Sequence, residues 1–289
     1  FPSKYVNIIV GNNNAGKTSL IEGIYYCSAL KSFKAVPTET LIQNNENSFK
    51  LLLKVIKCGD SLDIYTEKSL NSLKVVKVND KRVTARALLL TLPCIALSFG
   101  VENIIIQSSE QRRGFLDWGS FHVEPKHLTN FKNYTKSLKQ RNSLLKKSDM
   151  TNIDYWTKEV SRHGLLVHEQ RNEYFIDLNK EFINYTNKLT DFDKSVYDDI
   201  KNTKINYYKG WDKTLGLDMA LANNLNKDRA IKHTSVGPHR GDLLFSVNGT
   251  DLKNISSMST QIIISLLLVL SQAEVFHVKH GFRPIILID

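Results

Sequence analysis

Gly11-Asn12-Asn13-Asn14-Ala15-Gly16-Lys17-Thr18 decides the reading of this chain. It matches G-x-x-x-x-G-K-[ST], a loop whose consecutive backbone N–H groups cradle phosphates, whose lysine reaches the β- and γ-phosphates, and whose hydroxyl ligates Mg²⁺. Such a loop needs a strand to deliver it and a helix whose positive N-terminal end faces the anion. The apolar run Tyr5-Val6-Asn7-Ile8-Ile9-Val10 predicts the strand, and Ser19 to Leu30 predicts the helix. Gly11, Asn12, Asn13, Asn14, Ala15, Gly16, Lys17, Thr18 and Ser19 therefore form a candidate ATP site, with Thr18 as a Mg²⁺ ligand. A Gly/Asn-rich turn before a helix is the plainer alternative; the coincidence of glycine, lysine and threonine with both flanks argues against it.

At 289 residues the chain can hold one or two domains of about 150 residues each. Lys and Arg outnumber Asp and Glu by 39 to 29, a net charge of +10 that favours polyanionic partners. Cys27, Cys58 and Cys94 are scattered and lack C-x-x-C spacing, so neither a disulfide framework nor a zinc site is indicated, and reduced thiols in a cytoplasmic protein are expected. The longest apolar run, Ile262 to Leu270, is broken by Ser265 and falls short of the 18 or so residues of a membrane span, so no membrane partner is expected. No secretory signal pattern opens the chain, which begins at Phe1.

After the loop and its helix, Phe49 to Ile56, Leu62 to Thr66 and Leu73 to Val78 read as antiparallel strands, the last followed by the turn Asn79-Asp80-Lys81-Arg82. Lys68, Lys74, Lys77, Lys81, Arg82 and Arg86 crowd this layer, either as a face for a phosphate backbone or as a charged edge that prevents aggregation. The character changes near Glu124. Pro125 to Lys147 and Tyr155 to Leu189 contain one glycine, Gly164, and no proline beyond Pro125, while Leu128, Phe131, Leu138 and Leu145, then Trp156, Val160, Leu178, Phe182 and Leu189, mark helical faces. Two long helices joined by Ser148 to Asp154 form an αα-hairpin. The first is basic through Lys132, Lys136, Lys139, Arg141, Lys146 and Lys147, which is a solvated face or a second DNA contact. Ile205 to Tyr208 and Leu243 to Val247, with the Asn248-Gly249 turn, return to strand, and Ile262 to Val275 fits a buried helix. The division expected is 1–123, first half of an ATPase domain with its β-layer; 124–190, a helical arm; and 191–289, the second half.

Pro284-Ile285-Ile286-Leu287-Ile288-Asp289 has the form of a buried parallel strand ending in a carboxylate, the second element of a nucleotide site, with Asp289 facing the Mg²⁺ that Thr18 also holds. Alone this run is weak. Paired with the loop at the opposite end of the chain, it points to a head split by a long insertion. Two internal blocks carry more: Gln111-Arg112-Arg113-Gly114-Phe115-Leu116-Asp117 and Gly237-Pro238-His239-Arg240-Gly241-Asp242-Leu243. With Leu20-Ile21-Glu22 after the loop, these blocks resemble the RR-x-FLD and GPHR-x-DL motifs of the RecF family of bacterial recombination mediators. The resemblance runs over the whole chain. It implies an α/β ABC-type ATPase head of the Rad50/SMC-like kind, with an antiparallel β-layer and an inserted helical lobe. It further implies ATP and Mg²⁺ as cofactors, an ATP-dependent homodimer that clamps DNA at gaps or junctions, RecO and RecR as partners, recombinase loading, and support of replication forks and the SOS response at the nucleoid.

The family carries an LSRGQQ-like signature before its long apolar helix, and the stretch here is Ser256-Ser257-Met258-Ser259-Thr260-Gln261, without the glycine. Ser257, Ser259 and Gln261 are the candidates for a contact to the γ-phosphate held by the opposite subunit. The missing glycine either weakens that contact or marks a seam in the chain between Ser259 and Thr260. Lys81, Arg82, Arg112, Arg113, Lys139 and Arg141 are candidate DNA contacts. One of Arg112 and Arg113 is expected to pair with Asp117 while the other faces phosphate; His239 and Arg240 contact ligand or fix a turn after Pro238; His233 reads as an ordinary polar residue. The alternative function is a phosphate-loop nuclease of the overcoming-lysogenisation class, which needs an acidic metal cluster that only Asp191, Asp193, Asp198 and Asp199 approach.

Overall fold

The computed structural model describes residues 5–34, 36–57, 59–70, 74–97, 103–147, 150–190 and 194–289. The chain forms two compact units, Phe1–Phe99 with Pro284–Asp289, and Gly100–Arg283.

In the first unit, α1 (Lys17–Ala29) begins after Gly16 and ends where Leu30 turns left-handed, its N–H returned to the Tyr26 carbonyl. The hairpin β1 (Ser48–Lys57) and β2 (Asp60–Ser69) pairs from Ser48↔Ser69 to Lys57↔Asp60, and β3 (Val75–Val78) and β4 (Lys81–Arg82) extend the sheet antiparallel. Period-two alternation sends Phe49, Leu51, Leu53 and Val55 inward and Lys50, Leu52, Lys54 and Ile56 to solvent. The inward rows meet α1, through Ile21, Tyr26 and Cys27, and the short helix α2 (Ala85–Thr91), through Leu88. The short strand β5 (Cys94–Leu97) lies beside them. Cys27 and Cys94 are buried free thiols, and burial pushes the Cys94 thiol up to about 12. Cys58 and residues 71–73, Leu73 among them, lie outside the described residues.

The strand expected at Tyr5 to Val10 does not form. Residues 5–10 take no strand assignment, and Tyr5, Val6, Ile8 and Val10 are 73 to 87 % exposed. Apolar, β-branched content makes a strand only where a neighbour supplies the ladder, and no described strand pairs with this segment.

The second unit opens with α3 (Ser109–Val123), started by a capping box in which Ser108 and Gln111 satisfy each other's backbone N–H groups. The hairpin α4 (His127–Lys147) and α5 (Ile153–Asn187) follows at the positions read from the sequence. After α6 (Lys194–Lys201) come β6 (Thr203–Tyr208), α7 (Leu217–Asn223) and α8 (Leu225–Ile231), then β7 (Asp242–Val247), β8 (Thr250–Asp251), α9 (Leu252–Ile255) and α10 (Met258–His280). β6, β7 and β8 make an antiparallel sheet, the Asn248-Gly249 turn joining β7 to β8 with both residues left-handed. One core joins α3, α5, β6, β7 and α10 through residues such as Leu116, Leu178, Phe245 and Leu268; a second joins α4, α5 and α7 through Tyr134, Val160 and Leu217. The chain then returns to the first unit as β9 (Ile285–Ile288), parallel to β5 from Cys94↔Ile285 to Leu97↔Ile288.

α10 corrects the sequence reading in one respect. At 23 residues it is long and apolar enough to cross a membrane by composition, because Ser265 and Ser271 return their hydroxyls to the carbonyls of Gln261 and Leu267 and do not interrupt it. It is a core helix, with 61 % of its most apolar 18-residue window buried. The same helix runs unbroken through Ser259 and Thr260.

α3 and α5 are in close contact where Gly119 faces Tyr174: a Cβ at that glycine would sit 1.9 Å from the ring Cζ. Gly119→Ala is expected to destabilise the protein by about 1–3 kcal/mol, read from urea unfolding, although alanine is the better helix former by about 1 kcal/mol. Unchanged or raised stability would show that the crossing can open without cost.

Candidate functional site

The loop Gly11–Thr18 forms a tight, exposed turn in which Asn14 and Gly16 both have positive φ, 63° and 88°, and the Ala15 N–H bonds the Asn12 carbonyl. Gly16 occupies the N-cap of α1, and no side chain caps that helix. Elsewhere Thr84, Ser108 and Ser257 cap α2, α3 and α10 with their hydroxyls. The first N–H groups of α1, together with its dipole, are thus open to an anion. Lys17 folds its ammonium back over the turn, donating to the carbonyls of Gly11 and Asn12, both at 2.8 Å. Thr18 Oγ1 donates to Asp289 Oδ1 at 2.7 Å. β9 delivers that carboxylate, and the Asp289 N–H extends the parallel ladder to the Leu97 carbonyl at 3.0 Å. A hydroxyl and a carboxylate in contact are hard oxygen donors of the kind Mg²⁺ prefers, and the open helix terminus with Lys17 beside it suits a triphosphate. The residues present fit Mg²⁺-ATP.

The two internal blocks form a clasp within the second unit. Arg112 holds Asp242 through two parallel bonds, Nε to Oδ1 and Nη2 to Oδ2, each 2.7 Å, and donates also to the carbonyls of Ile105 and Gln107. Arg113 donates to the Gly241 carbonyl at 2.9 Å. Asp117 takes neither arginine; it receives a bidentate pair from Arg171 of α5, at 2.7 and 2.8 Å, and a bond from His127. Arg171 also donates to the Pro238 carbonyl at 2.7 Å, so one guanidinium ties both blocks together. Burial alone would raise the Asp117 carboxyl, but the Arg171 charge and the bonds from His127 and Arg171 outweigh it and hold the carboxyl below the usual range.

Pro238–Arg240 is a single 3₁₀ turn, as the turn reading of His239 expects. His239 Nε2 faces the Thr234 carbonyl at 3.0 Å, and because a carbonyl only accepts, Nδ1 is left to accept from the Tyr134 hydroxyl at 2.6 Å. This neutral tautomer agrees with a pKa pushed down to about 4, chiefly by burial. Arg240 is exposed at the surface. His233 bonds the Ile231 carbonyl.

Two candidate DNA contacts are corrected. Arg112 is turned inward, bidentate on Asp242, and Arg141 is 0 % exposed, paired with Asp228 at 2.8 Å and bonded to Thr157 and Thr234, so both guanidinium groups are committed to the interior. Arg113 is half-buried and donates to the Gly241 carbonyl. Lys81 and Arg82, on β4, and Lys139, on α4, remain exposed. Lys68 is buried against Glu39, at 3.2 Å, Lys74 reaches the Leu30 carbonyl, and Lys77 covers the Tyr65 ring, so the basic β-layer is in part internal. At the signature stretch, Ser257 caps α10 and Ser259 is exposed, whereas Gln261 is buried, bonded to the Ser256 carbonyl and to Asn103. Asp198 and Asp199 sit on α6; Asp191 and Asp193 lie outside the described residues.

Sequence reasoning missed Arg171 and the inward turn of Arg141, and a signal for both was present. Arg141 falls between Leu138 and Leu145, and Arg171 between Val167 and Tyr174, on apolar helical rows. A cation in such a row calls for a buried carboxylate partner.

No family model matches the chain. It is 32 % identical over 292 residues to the DNA replication and repair protein RecF of Nitrosococcus oceani, covering 100 % of this chain and 78 % of that protein. The proteins of the same name from Shewanella denitrificans and Coxiella burnetii are 28 % and 29 % identical over 290 residues, covering 100 % of this chain and 78 % and 79 % of theirs. In three dimensions the chain is similar to a solved structure of the recombination mediator RecF with ATP, from the RecFOR pathway, with a TM-score of 0.82 at 24 % identity over 96 % of this chain and 76 % of that one.

The neutral His239 carries a pH dependence. Its pKa in the folded protein lies below the value near 6.5 of an unfolded chain, so its contribution to stability is complete above pH 6.5 and is lost as pH falls toward 4. Between pH 7 and pH 5 this amounts to about 2 kcal/mol. Urea unfolding of His239→Gln is expected to show a flatter dependence over that window than the wild type; an identical slope would place the lost protons elsewhere.

Proposed function

The chain belongs to the RecF family of DNA replication and repair proteins, and from that membership we propose that it is an ATP-dependent DNA-binding recombination mediator whose nucleotide controls its hold on DNA. Its fold is that of an ABC-type ATPase head. The observation that carries the reading is the meeting of Thr18 and Asp289 beside an uncapped helix terminus. Bound Mg²⁺-ATP would supply a divalent charge and a γ-phosphate at that terminus. Thr18 and Asp289 would hold the metal, and the open N–H groups at the α1 terminus would take the phosphates. Lys17, now donating to the Gly11 and Asn12 carbonyls, would gain charged acceptors in phosphate oxygens, which make stronger bonds.

The reading includes closure of two copies over the nucleotide. Ser257 and Ser259, exposed at the N-terminus of α10, are the groups available to a partner's γ-phosphate, and the buried Gln261 positions that terminus. Closure retains DNA at gaps or junctions, and slow hydrolysis resets it. RecO and RecR are the partners that the family membership suggests, with work at the nucleoid. The 124–190 segment is the helical arm inserted between the halves of the ATPase domain.

Lys17→Ala is expected to remain monomeric with ATP in sedimentation under conditions where the wild type dimerises, and to lose ATP-dependent retention on gapped DNA. Persistent ATP-promoted dimers in the variant would contradict the site. Mg²⁺-dependent scission of the gapped DNA by the wild type would contradict the mediator reading in favour of a nuclease.

A further inference from the structure

α4 carries Lys132, Lys136, Lys139, Lys146 and Lys147, and no Asp or Glu in its 21 residues. At about 100° per residue these five fall within an arc of roughly 100°, and Arg141 points about 180° away from Lys132. All five lysines are exposed, and none forms an ion pair with any described residue, while Arg141 on the opposite side is fully buried. A solvated helical face ordinarily mixes signs, as α5 does where Arg162 pairs with Glu159 at 2.8 Å. α4 instead stacks like charges at i, i+3 and i+4 spacing, an arrangement that disfavours the helix by itself.

The neighbouring helix follows the same rule. α8 packs on α4, and its one acid, Asp228, is turned inward with 0 % exposure to meet Arg141 and to accept from Ser235. Lys227 and Arg229, on either side of Asp228, and Lys232 after the helix are exposed and have no carboxylate partner among the described residues. The buried pair thus removes the local carboxylate from the surface and leaves the cations outside.

We propose that this surface of α4 and α8, away from the nucleotide loop in sequence, is a track for the phosphate backbone of duplex DNA. Lys132 to Lys147 spans about 22 Å of helix axis, enough for about six phosphate steps at roughly 3.4 Å per strand. The composition favours nucleic acid over an acidic protein. Protein interfaces are anchored by exposed aromatic or aliphatic side chains; α4 exposes no large hydrophobic residue, and α8 exposes Ile231 at its C-terminal end. Unpaired lysines among threonine, asparagine and glutamine give sequence-independent phosphate binding. The proposal rests on the DNA-binding function proposed above and assigns it a surface.

The test uses the full chain with ATP and Mg²⁺, a fluorescein-labelled 30-base-pair duplex, and a salt titration. Each phosphate contact contributes about 0.9 to the slope of log K against log salt, so K132Q/K136Q/K139Q is expected to lower affinity and make that slope shallower by about 2–3. The matching Lys→Arg triple keeps the wild-type slope, and all three proteins unfold cooperatively. A wild type that binds duplex alongside a glutamine variant of unchanged affinity and slope overturns the track and leaves the mediator function standing. The same unchanged result, with poly-L-glutamate captured by the wild type and not by the variant, overturns the track in favour of an acidic protein partner. A wild type that binds no DNA at any salt overturns this proposal together with the function it rests on.

Discussion

A threonine hydroxyl and an aspartate carboxylate 271 positions apart meet at 2.7 Å, and the functional account depends on that contact. Nothing local brings them together. β9 is four residues long and forms a parallel pair with β5, so the carboxylate is placed by the ladder and by Leu287 packing into the core that α1 shares. The strand is less buried than its apolar run predicts: Leu287 faces the core, while Ile285 and Ile288 are 39 % and 42 % exposed, so the ladder to β5 places the carboxylate. The loop opposite is shaped by Gly16 at φ 88°, where a side chain would be strained, and it leaves the α1 terminus uncapped.

The second unit is organised by buried charge. Arg112 with Asp242, Arg171 with Asp117, and Arg141 with Asp228 each join segments distant in sequence. Such pairs are weak sources of net stability, since desolvation offsets most of their attraction, but breaking one partner costs about 3–5 kcal/mol. They select one arrangement of the helices. Arg171 reaches both an aspartate on α3 and a carbonyl in the Pro238 turn, so α3, α5 and that turn hold one geometry or none. Arg141 does the same for α4 and α8, and by taking Asp228 inward it also sets the charge of the surface outside.

Much of this was legible in the residues. α4 and α5 follow the 3.6-residue rows of their apolar side chains, α1 follows its helix-forming composition after the loop, the β-layer follows its β-branched content and turn residues, and Asn248-Gly249 marks its turn. The phosphate loop was readable because a phosphate cradle demands glycine, lysine and threonine at fixed spacing, and Asp289, at the end of an apolar run, was readable only in combination with that loop. What was not legible is what depends on partners distant in sequence. Tyr5 to Val10 has strand composition but no described strand beside it. The paired arginines Arg112 and Arg113 look like a phosphate site until Asp242 and the Gly241 carbonyl are placed against them. The length of α10 was hidden by serines whose hydroxyls are satisfied within the helix itself.

The most direct measurement is a double-mutant cycle on Mg²⁺-ATP affinity with Thr18→Val, Asp289→Asn and the pair. If both residues hold one metal, the two losses are not additive, and the cycle gives a coupling of about 0.5–3 kcal/mol. Losses that add to within about 0.3–0.5 kcal/mol would mean that Thr18 and Asp289 act independently, and would contradict the composite site on which the account rests.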